Sequence, residues 1–272
     1  MDLIFDMGGT KTRFAVVHNG KIDDIVRMDT DASAGGFSAL LGAMQEYVGN
    51  RKIQSVVGGM PGQRSGEHGE LILTPNLQQW LGIPVHQLIE RQFGCKTRIF
   101  NDVVLGGVGE ANYGAGISKG VMAYFTVSTG VNGVRLLDGR PDPTISRFEI
   151  GHTLMVDADG SLKDLESRVG GASLMKRTGM KPVEVRDPQV WLDHARDLAV
   201  ALYNTCLYWS PEVIVLGGSM MRDIDLREVA SQMEALPRVL VTIPKLHKSK
   251  LGDTTGLHGA MAMVKSDTPV FS

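Results

Sequence analysis

The sequence predicts an α/β protein made of two similarly folded halves. Apolar stretches with strand character alternate with stretches of helical periodicity along the whole chain. A strand, glycine turn and strand near the N-terminus recur far downstream, with Phe5 aligning on Phe125 and Asn19-Gly20 lying within a residue of Asp138-Gly139. The 33 glycines in 272 residues exceed the roughly 7% average, and they cluster where apolar strands end.

The elements follow in order. Leu3 to Asp6 reads as a strand, Met7 to Lys11 as a glycine turn and Arg13 to Val17 as a second strand, closed by the hairpin signal Asn19-Gly20. Phe37, Leu40, Leu41, Met44 and Tyr47 are spaced by threes and fours, one apolar face of a helix. A buried strand is expected over 53–57, ending in Gly58-Gly59-Met60-Pro61-Gly62, and a short strand over 71–73 before Thr74-Pro75-Asn76-Leu77. A helix over 84–93 leads to a strand over 96–100, after which Asn101-Asp102 opens a helix through Ala111. The chain loosens at Tyr113-Gly114-Ala115-Gly116, a hinge signal. Strands over 122–126 and 134–137 repeat the opening hairpin; helices over 165–176 and 188–209 follow, then an apolar strand over 213–216 ending in Gly217-Gly218-Ser219. A strand over 239–243, a solvated basic stretch over 245–250 and a small-residue helix over 256–264 complete the chain. The expected lobes are 1–115 with 256–272, and 116–255.

Composition narrows the function. With 28 basic against 30 acidic residues the net charge is −2, so no excess exists to neutralise a nucleic-acid backbone, and no nucleic-acid partner is expected. Cys95 and Cys206 cannot build a disulfide framework, which points to a reducing, cytoplasmic setting. The N-terminus enters a strand without a leader, and no apolar run reaches the ~18 residues of a membrane span, so neither export nor a membrane is expected.

Backbone N–H groups in glycine turns bind phosphate, because glycine reaches conformations closed to other residues. Three turns qualify: Gly8-Gly9-Thr10-Lys11 with a hydroxyl and a cation, Ser128-Thr129-Gly130 with two hydroxyls, and Gly217-Gly218 after an apolar strand. Singly each also reads as an ordinary turn; together they could surround a nucleoside triphosphate. Neither the Walker lysine loop nor the G-x-G-x-x-G fingerprint is present. Asp6, just before the first turn, reads as a Mg²⁺ carboxylate acting through water or as a turn-forming Asp.

Asp6-Met7-Gly8-Gly9-Thr10-Lys11-Thr12-Arg13, Pro61-Gly62, Pro75-Asn76-Leu77, Asn101-Asp102, Thr129-Gly130, Glu149-Ile150-Gly151-His152 and Pro211-Glu212 through Gly217-Gly218 occur in that order. The chain thereby resembles the ROK family of repressors, open reading frames and sugar kinases along essentially its whole length. The resemblance implies two RNase H-like domains of the actin/hexokinase-like ATPase type with ATP and Mg²⁺ in a cleft between them. It implies an ATP-dependent kinase for a hexose or N-acetylhexosamine at the 6-hydroxyl, with Asp102 as general base. An Asp opening a helix is also an ordinary N-cap, and position alone does not choose between the two. By the same resemblance Asn101, Glu149, His152 and Glu166 bind the sugar, with Asn76 and Gly62 as weaker contacts. Gly8, Gly9, Thr10, Lys11, Thr129, Gly130, Gly217 and Gly218 bind ATP.

Two departures stand out. Most relatives carry a cysteine-rich loop after Glu-x-Gly-His that holds a structural Zn²⁺, whereas this chain has Thr153 to Asp164 without a cysteine, so no zinc is expected there. Asp157, Asp159 or Asp164 is expected to accept the ring N–H of His152 instead. After Thr129-Gly130 the chain continues Val131-Asn132-Gly133, where relatives are richer in glycine. Two other readings compete: a catalytically weak or inactive ROK-type sugar or nucleotide binder, and a DNA-binding repressor. The repressor would need an additional N-terminal region, for which a first strand at Leu3 leaves no expected room. Relatives are often dimers, so a homodimer is possible on resemblance alone.

Overall fold

The computed structural model describes residues 1–74, 76–117, 119–142, 148–157, 159–237, 239–240 and 242–266. Pro75 of the Pro75-Asn76-Leu77 motif, Ala158 of the cysteine-free loop and Val241 of the strand expected over 239–243 lie outside the described residues, as do 267–272. The chain divides into two compact units, Met1–Gly109 with the segment returning from Asp253, and Glu110–Gly252.

In the first unit β1 (Asp2–Met7) and β2 (Lys11–His18) pair antiparallel. Asn19 and Gly20 both take positive φ, 51° and 74°, as a tight right-twisted hairpin demands, and lead into β3 (Lys21–Ile22). β4 (Val26–Asp29) pairs with the other end of β2. The apolar face of α1 (Gly36–Val48) buries Phe37, Leu40, Leu41 and Met44, with Phe37 edge-on to Trp80 at 5.3 Å. β5 (Ser55–Gly59) lies parallel to β1 and starts two residues later than the sequence predicts, because its ladder registers Asp2 on Ser55 and Asp6 on Gly59. The glycine end of β5 is a packing requirement: a Cβ on Gly58 would sit 2.1 Å from the Phe5 ring. A hairpin of β6 (Gln63–Ser65) and β7 (Glu70–Leu73) precedes α2 (Val85–Phe93), β8 (Lys96–Phe100) and α3 (Asp102–Tyr113). The sheet runs β3-β2-β1-β5-β8, with β4 beside β2.

The second unit repeats the plan. β9 (Val121–Val127) and β10 (Val131–Leu137) pair antiparallel, and Asp138 and Gly139, φ 47° and 76°, turn the chain into β11 (Arg140–Pro141). β12 (Leu154–Val156) and β13 (Leu162–Asp164) form a separate hairpin in the cysteine-free segment. The helix expected over 165–176 is two helices, α4 (Leu165–Val169) and α5 (Gly171–Thr178). Between them Gly170 is extended, with its Cα so close to Glu166 that a Cβ would lie 2.6 Å from the Glu166 carbonyl oxygen. α6 (Pro188–Trp209) starts on an Asp187 cap and buries Ala195, Leu198, Leu202 and Cys206. β14 (Val213–Gly217) lies parallel to β9, and α7 (Leu226–Glu234) follows. The described residues of 239–243 form no strand; the last strand is β15 (Lys245–Lys248), in the stretch expected to be a solvated surface. It is the edge of a sheet ordered β11-β10-β9-β14-β15, where lysines discourage further strand pairing. The chain then returns to the first unit as α8 (Thr255–Val264), packed on β1 and β5. Among the described residues no helix is long and apolar enough to cross a membrane.

Candidate functional site

Four residues converge in the first unit. Asp6 stands near the end of β1, opposite Gly59 of β5. A Cβ on Gly59 would lie 3.2 Å from the Asp102 Cα and 3.6 Å from Asp6 Oδ1, and one on Gly256, in the first turn of α8, would lie 2.3–2.5 Å from the Asp6 carboxyl. The carboxyl sits deep among protein atoms although the residue keeps some exposed surface. Loss of hydration, and then the negative charge of Asp102, push its pKa up to about 7; Arg13, its partner across the hairpin, acts the other way.

Asp102 opens α3, but Asn101 caps the helix. The Asn101 Oδ1 accepts from Val103 N at 3.0 Å and its carbonyl accepts from Leu105 N at 3.2 Å. Asn101, expected to bind the sugar, thus already commits its amide oxygen to the helix.

The Gly8–Lys11 turn is closed by Gly8 N donating to Lys11 O at 2.9 Å, and Thr30 Oγ1 donates to Gly8 O at 2.9 Å. Neither Gly8 nor Gly9 has a positive φ, which corrects the premise that these glycines are there for unusual backbone conformation. Gly9 answers a close approach: a Cβ would sit 2.8 Å from Asn76 Nδ2, so the phosphate-turn and sugar candidates touch. The Lys11 ammonium pairs with Asp29 across β2 and β4. Both groups are exposed, so the pair holds the lysine only weakly. Gly62 has φ 93°, the left-handed region its turn requires.

The second unit gathers the remaining candidates around another turn. Ser128 N donates to Gly130 O at 2.8 Å, and the first N–H groups of α5, Gly171 and Ala172, donate to the carbonyls of Ser128 and Thr129 at 2.7 and 3.0 Å. Glu166 Oε2 accepts from Val131 N at 2.8 Å, an approach open only because residue 130 is glycine: a Cβ there would lie 2.4 Å from that oxygen. Asn132 Nδ2 donates to Glu149 Oε2 at 3.1 Å. At the end of β14 a Cβ on Gly217 would lie 2.5 Å from the Tyr124 hydroxyl. Gly218, φ 94°, is the one glycine of the three phosphate-turn candidates with a positive φ, and a Cβ there would meet Val127 O at 2.2 Å. A four-residue 3₁₀ turn follows it.

His152 ends a short 3₁₀ turn and its Nδ1 is 2.8 Å from Asp164 Oδ2. This hydrogen bond raises the imidazole pKa above its ordinary 6.5. Of the three carboxylates expected as partners, Asp164 fills the role; its other oxygen caps α4 by accepting from Ser167 N at 2.8 Å. Asp159 turns back on Ser161 instead, and Asp157 pairs with Lys163 at 2.6 Å. Arg168 has no place in the sequence reading. Its guanidinium grips both oxygens of Asp197 on α6 at 2.9 and 2.8 Å and reaches Asp157 at 3.3 Å. No local spacing links residues so far apart in the chain, so only the fold reveals the group.

Among the described residues no three His, Cys, Asp or Glu side chains gather as a metal cage. The ROK family model matches residues 3–267. A fructokinase from Zymomonas mobilis is 28% identical over 74% of this chain and 72% of its own length. An N-acetyl-D-glucosamine kinase from Escherichia fergusonii is 25% identical over 97% and 99%. In fold the chain matches a ROK family glucokinase from Streptomyces griseus, solved with glucose and AMPPNP, at a TM-score of 0.78 and 20% identity, covering 96% of this chain and 98% of that one.

Proposed function

This chain belongs to the ROK family, and from that premise we propose that it transfers the terminal phosphoryl group of ATP to the 6-hydroxyl of a hexose or N-acetylhexosamine. Fructokinase, N-acetylglucosamine kinase and glucokinase relatives support the reaction class. The observation that carries the reading is the arrangement at the head of α3. Asn101 supplies the cap, so Asp102 is not there as a cap, and its carboxylate stands beside Asp6.

Phosphoryl transfer demands little covalent chemistry of a protein and much positioning. Asp102 accepts the proton of the attacking hydroxyl. Glu149, His152 and Glu166, with Asn101 and more weakly Asn76 and Gly62, hold the sugar hydroxyls. The backbone of Gly8, Gly9, Thr129, Gly130, Gly217 and Gly218, with the Thr10 hydroxyl and Lys11, holds the nucleotide, which requires Lys11 to leave Asp29. A magnesium ion suits Asp6 chemically: the donor is a hard oxygen, and burial beside another carboxylate leaves its negative charge poorly compensated. Such an ion takes one or two carboxylates and keeps waters and phosphate oxygens elsewhere. Asp6 would hold it through water, and when bound it supplies charge neutralisation to the phosphates.

The test is ATP turnover on glucose, fructose, N-acetylglucosamine and N-acetylmannosamine, with Asp102→Asn as control. Turnover of one sugar, reduced about 10²–10⁴-fold in the variant with sugar binding retained by calorimetry, is expected. Full activity in the variant removes Asp102 from the role. Sugar binding without turnover in the wild type would replace the kinase by the binding-protein reading.

A further inference from the structure

The turn that follows Thr129-Gly130 is tied to both expected sugar carboxylates. Immediately after Thr129-Gly130, Val131 N donates to Glu166 Oε2 at 2.8 Å, and the next residue, Asn132, donates its Nδ2 to Glu149 Oε2 at 3.1 Å. The Asn132 side chain is itself fixed, because its Oδ1 accepts from Gly133 N at 2.7 Å. On its other side the turn is fastened to α5 through Ser128 O and Thr129 O. Two carboxylates that come from different elements, one before the Ile150–His152 turn and one in α4, thus hold consecutive residues of a single strand start.

A carboxylate oxygen that accepts from both a protein N–H, backbone for Glu166 and side-chain amide for Glu149, and a sugar hydroxyl shares its negative charge between them, and its position is set by both. Any hydroxyl that draws on Glu149 or Glu166 therefore moves or stiffens the backbone beginning at Thr129, and a phosphate seated on that backbone does the reverse. We infer that Asn132 is a positioning residue that couples the sugar to the phosphate turn, so that sugar and nucleotide bind more tightly together than apart. This rests on the kinase reading. It adds a link that lies wholly within the second unit, and a residue that neither a phosphate nor a sugar has to touch.

Asn132→Asp tests it. The substitution keeps the side chain's size and its acceptor toward Gly133 but replaces the donor to Glu149 by a like charge. AMPPNP affinity is measured by calorimetry with and without each of glucose, fructose, N-acetylglucosamine and N-acetylmannosamine. In the wild type the sugar that binds is expected to tighten AMPPNP at least about fivefold. In Asn132→Asp that factor is expected to fall at least about twofold while the affinity for AMPPNP alone stays unchanged, the remainder being carried by Glu166 on Val131 N, and Asn132→Gln is expected to restore part of the loss. A thermal midpoint within a few degrees of the wild type keeps a folding defect from imitating the result. A coupling factor equal in wild type and Asn132→Asp, or no coupling in a wild type that binds both ligands, overturns the inference and leaves the kinase reading standing. A wild type that binds neither ligand overturns the kinase reading itself.

Discussion

Asp6 of the first unit and Thr126 of the second occupy the same place in two sheets of like construction. Each follows a buried phenylalanine, Phe5 or Phe125, near the end of the first strand of a hairpin, and each registers on a glycine that ends a parallel third strand, Gly59 or Gly217. The chemistry around them differs. Asp6 faces Asp102, so burial and like charge raise its pKa to about 7. In the second unit Glu149, Asp164, Glu166 and Asp197 each accept a hydrogen bond from a named donor. The shared backbone plan specifies where a side chain points its chemistry; the partners then decide whether a carboxylate there is a strained neighbour of another or a fixed acceptor.

The residue before each pairing glycine breaks the symmetry most sharply. Phe5 registers on Gly58, whereas Phe125 registers on Leu216. Making the first sheet like the second by Gly58→Leu drives a side chain into the Phe5 ring, which a Cβ alone would approach to 2.1 Å. A loss of more than about 3 kcal/mol is expected, read by thermal or urea denaturation. A midpoint near that of the wild type would show that the two sheets are interchangeable at this position after all.

Much of this plan is legible in the amino-acid order alone. Alternation and the Asn-Gly and Asp-Gly turns locate both hairpins, and the three-and-four spacing of Phe37 to Tyr47 locates α1. What escapes depends on distant contacts. The break at Gly170 exists because α5 docks on the carbonyls of Ser128 and Thr129, which no helical periodicity encodes. β15 reads Lys-Leu-His-Lys, too polar for a strand by pattern, and is one because β14 offers it a free edge. The candidate site is legible as residue types and order, and Asp164 is within the small set of carboxylates expected at His152. The close approaches that require Gly9, Gly130 and Gly256, and the grip of Arg168 on Asp197, are not.

Arg168 offers the next largest effect on the comparison. Its side chain is 14% exposed and that of Asp197 11%, so Arg168→Met leaves the largely buried Asp197 charge with only the more exposed Arg196, at 3.7 Å, as a cationic partner. A cost of about 2–4 kcal/mol is expected, and the double substitution with Asp197→Leu should recover most of it. Equal losses in the single and double variants would mean that the cost does not come from the charge left at Asp197.

Asp6 should behave oppositely when its charge is removed. Its folded pKa lies above the unfolded value, so the stability linked to it is full below about 3.8 and is lost as pH rises through about 7. Asp6→Asn, studied in a chelator, should therefore be more stable than the wild type at pH 8 by on the order of 1–3 kcal/mol and little different at pH 4. The same variant should lose most of the proposed sugar-dependent ATP turnover. Equal stabilities at pH 8 would show that Asp6 is hydrated well enough to ionise freely, and the contrast with the second unit would weaken.

The smallest effect is the most local. The hydrogen bond from His152 Nδ1 to Asp164 raises the histidine pKa, with Glu166 and Glu149 adding smaller contributions of the same sign. Because the ring is mostly exposed, the linked stability is slight; what there is holds below pH 6.5 and fades as pH rises through the folded value. Titrating the ring by NMR should place its midpoint above 6.5 in the wild type and lower in Asp164→Asn, where an amide oxygen can still accept from Nδ1 but carries no charge. The same change weakens the cap on α4, whose Ser167 N–H would then meet a neutral group. A simple cap defect would leave the titration of a surface imidazole where it was. A midpoint that falls with Asp164→Asn therefore assigns the shift to the carboxylate, and an unmoved midpoint assigns it to Glu149 and Glu166, which would transfer the task of orienting His152 to the carboxylates expected to bind the sugar.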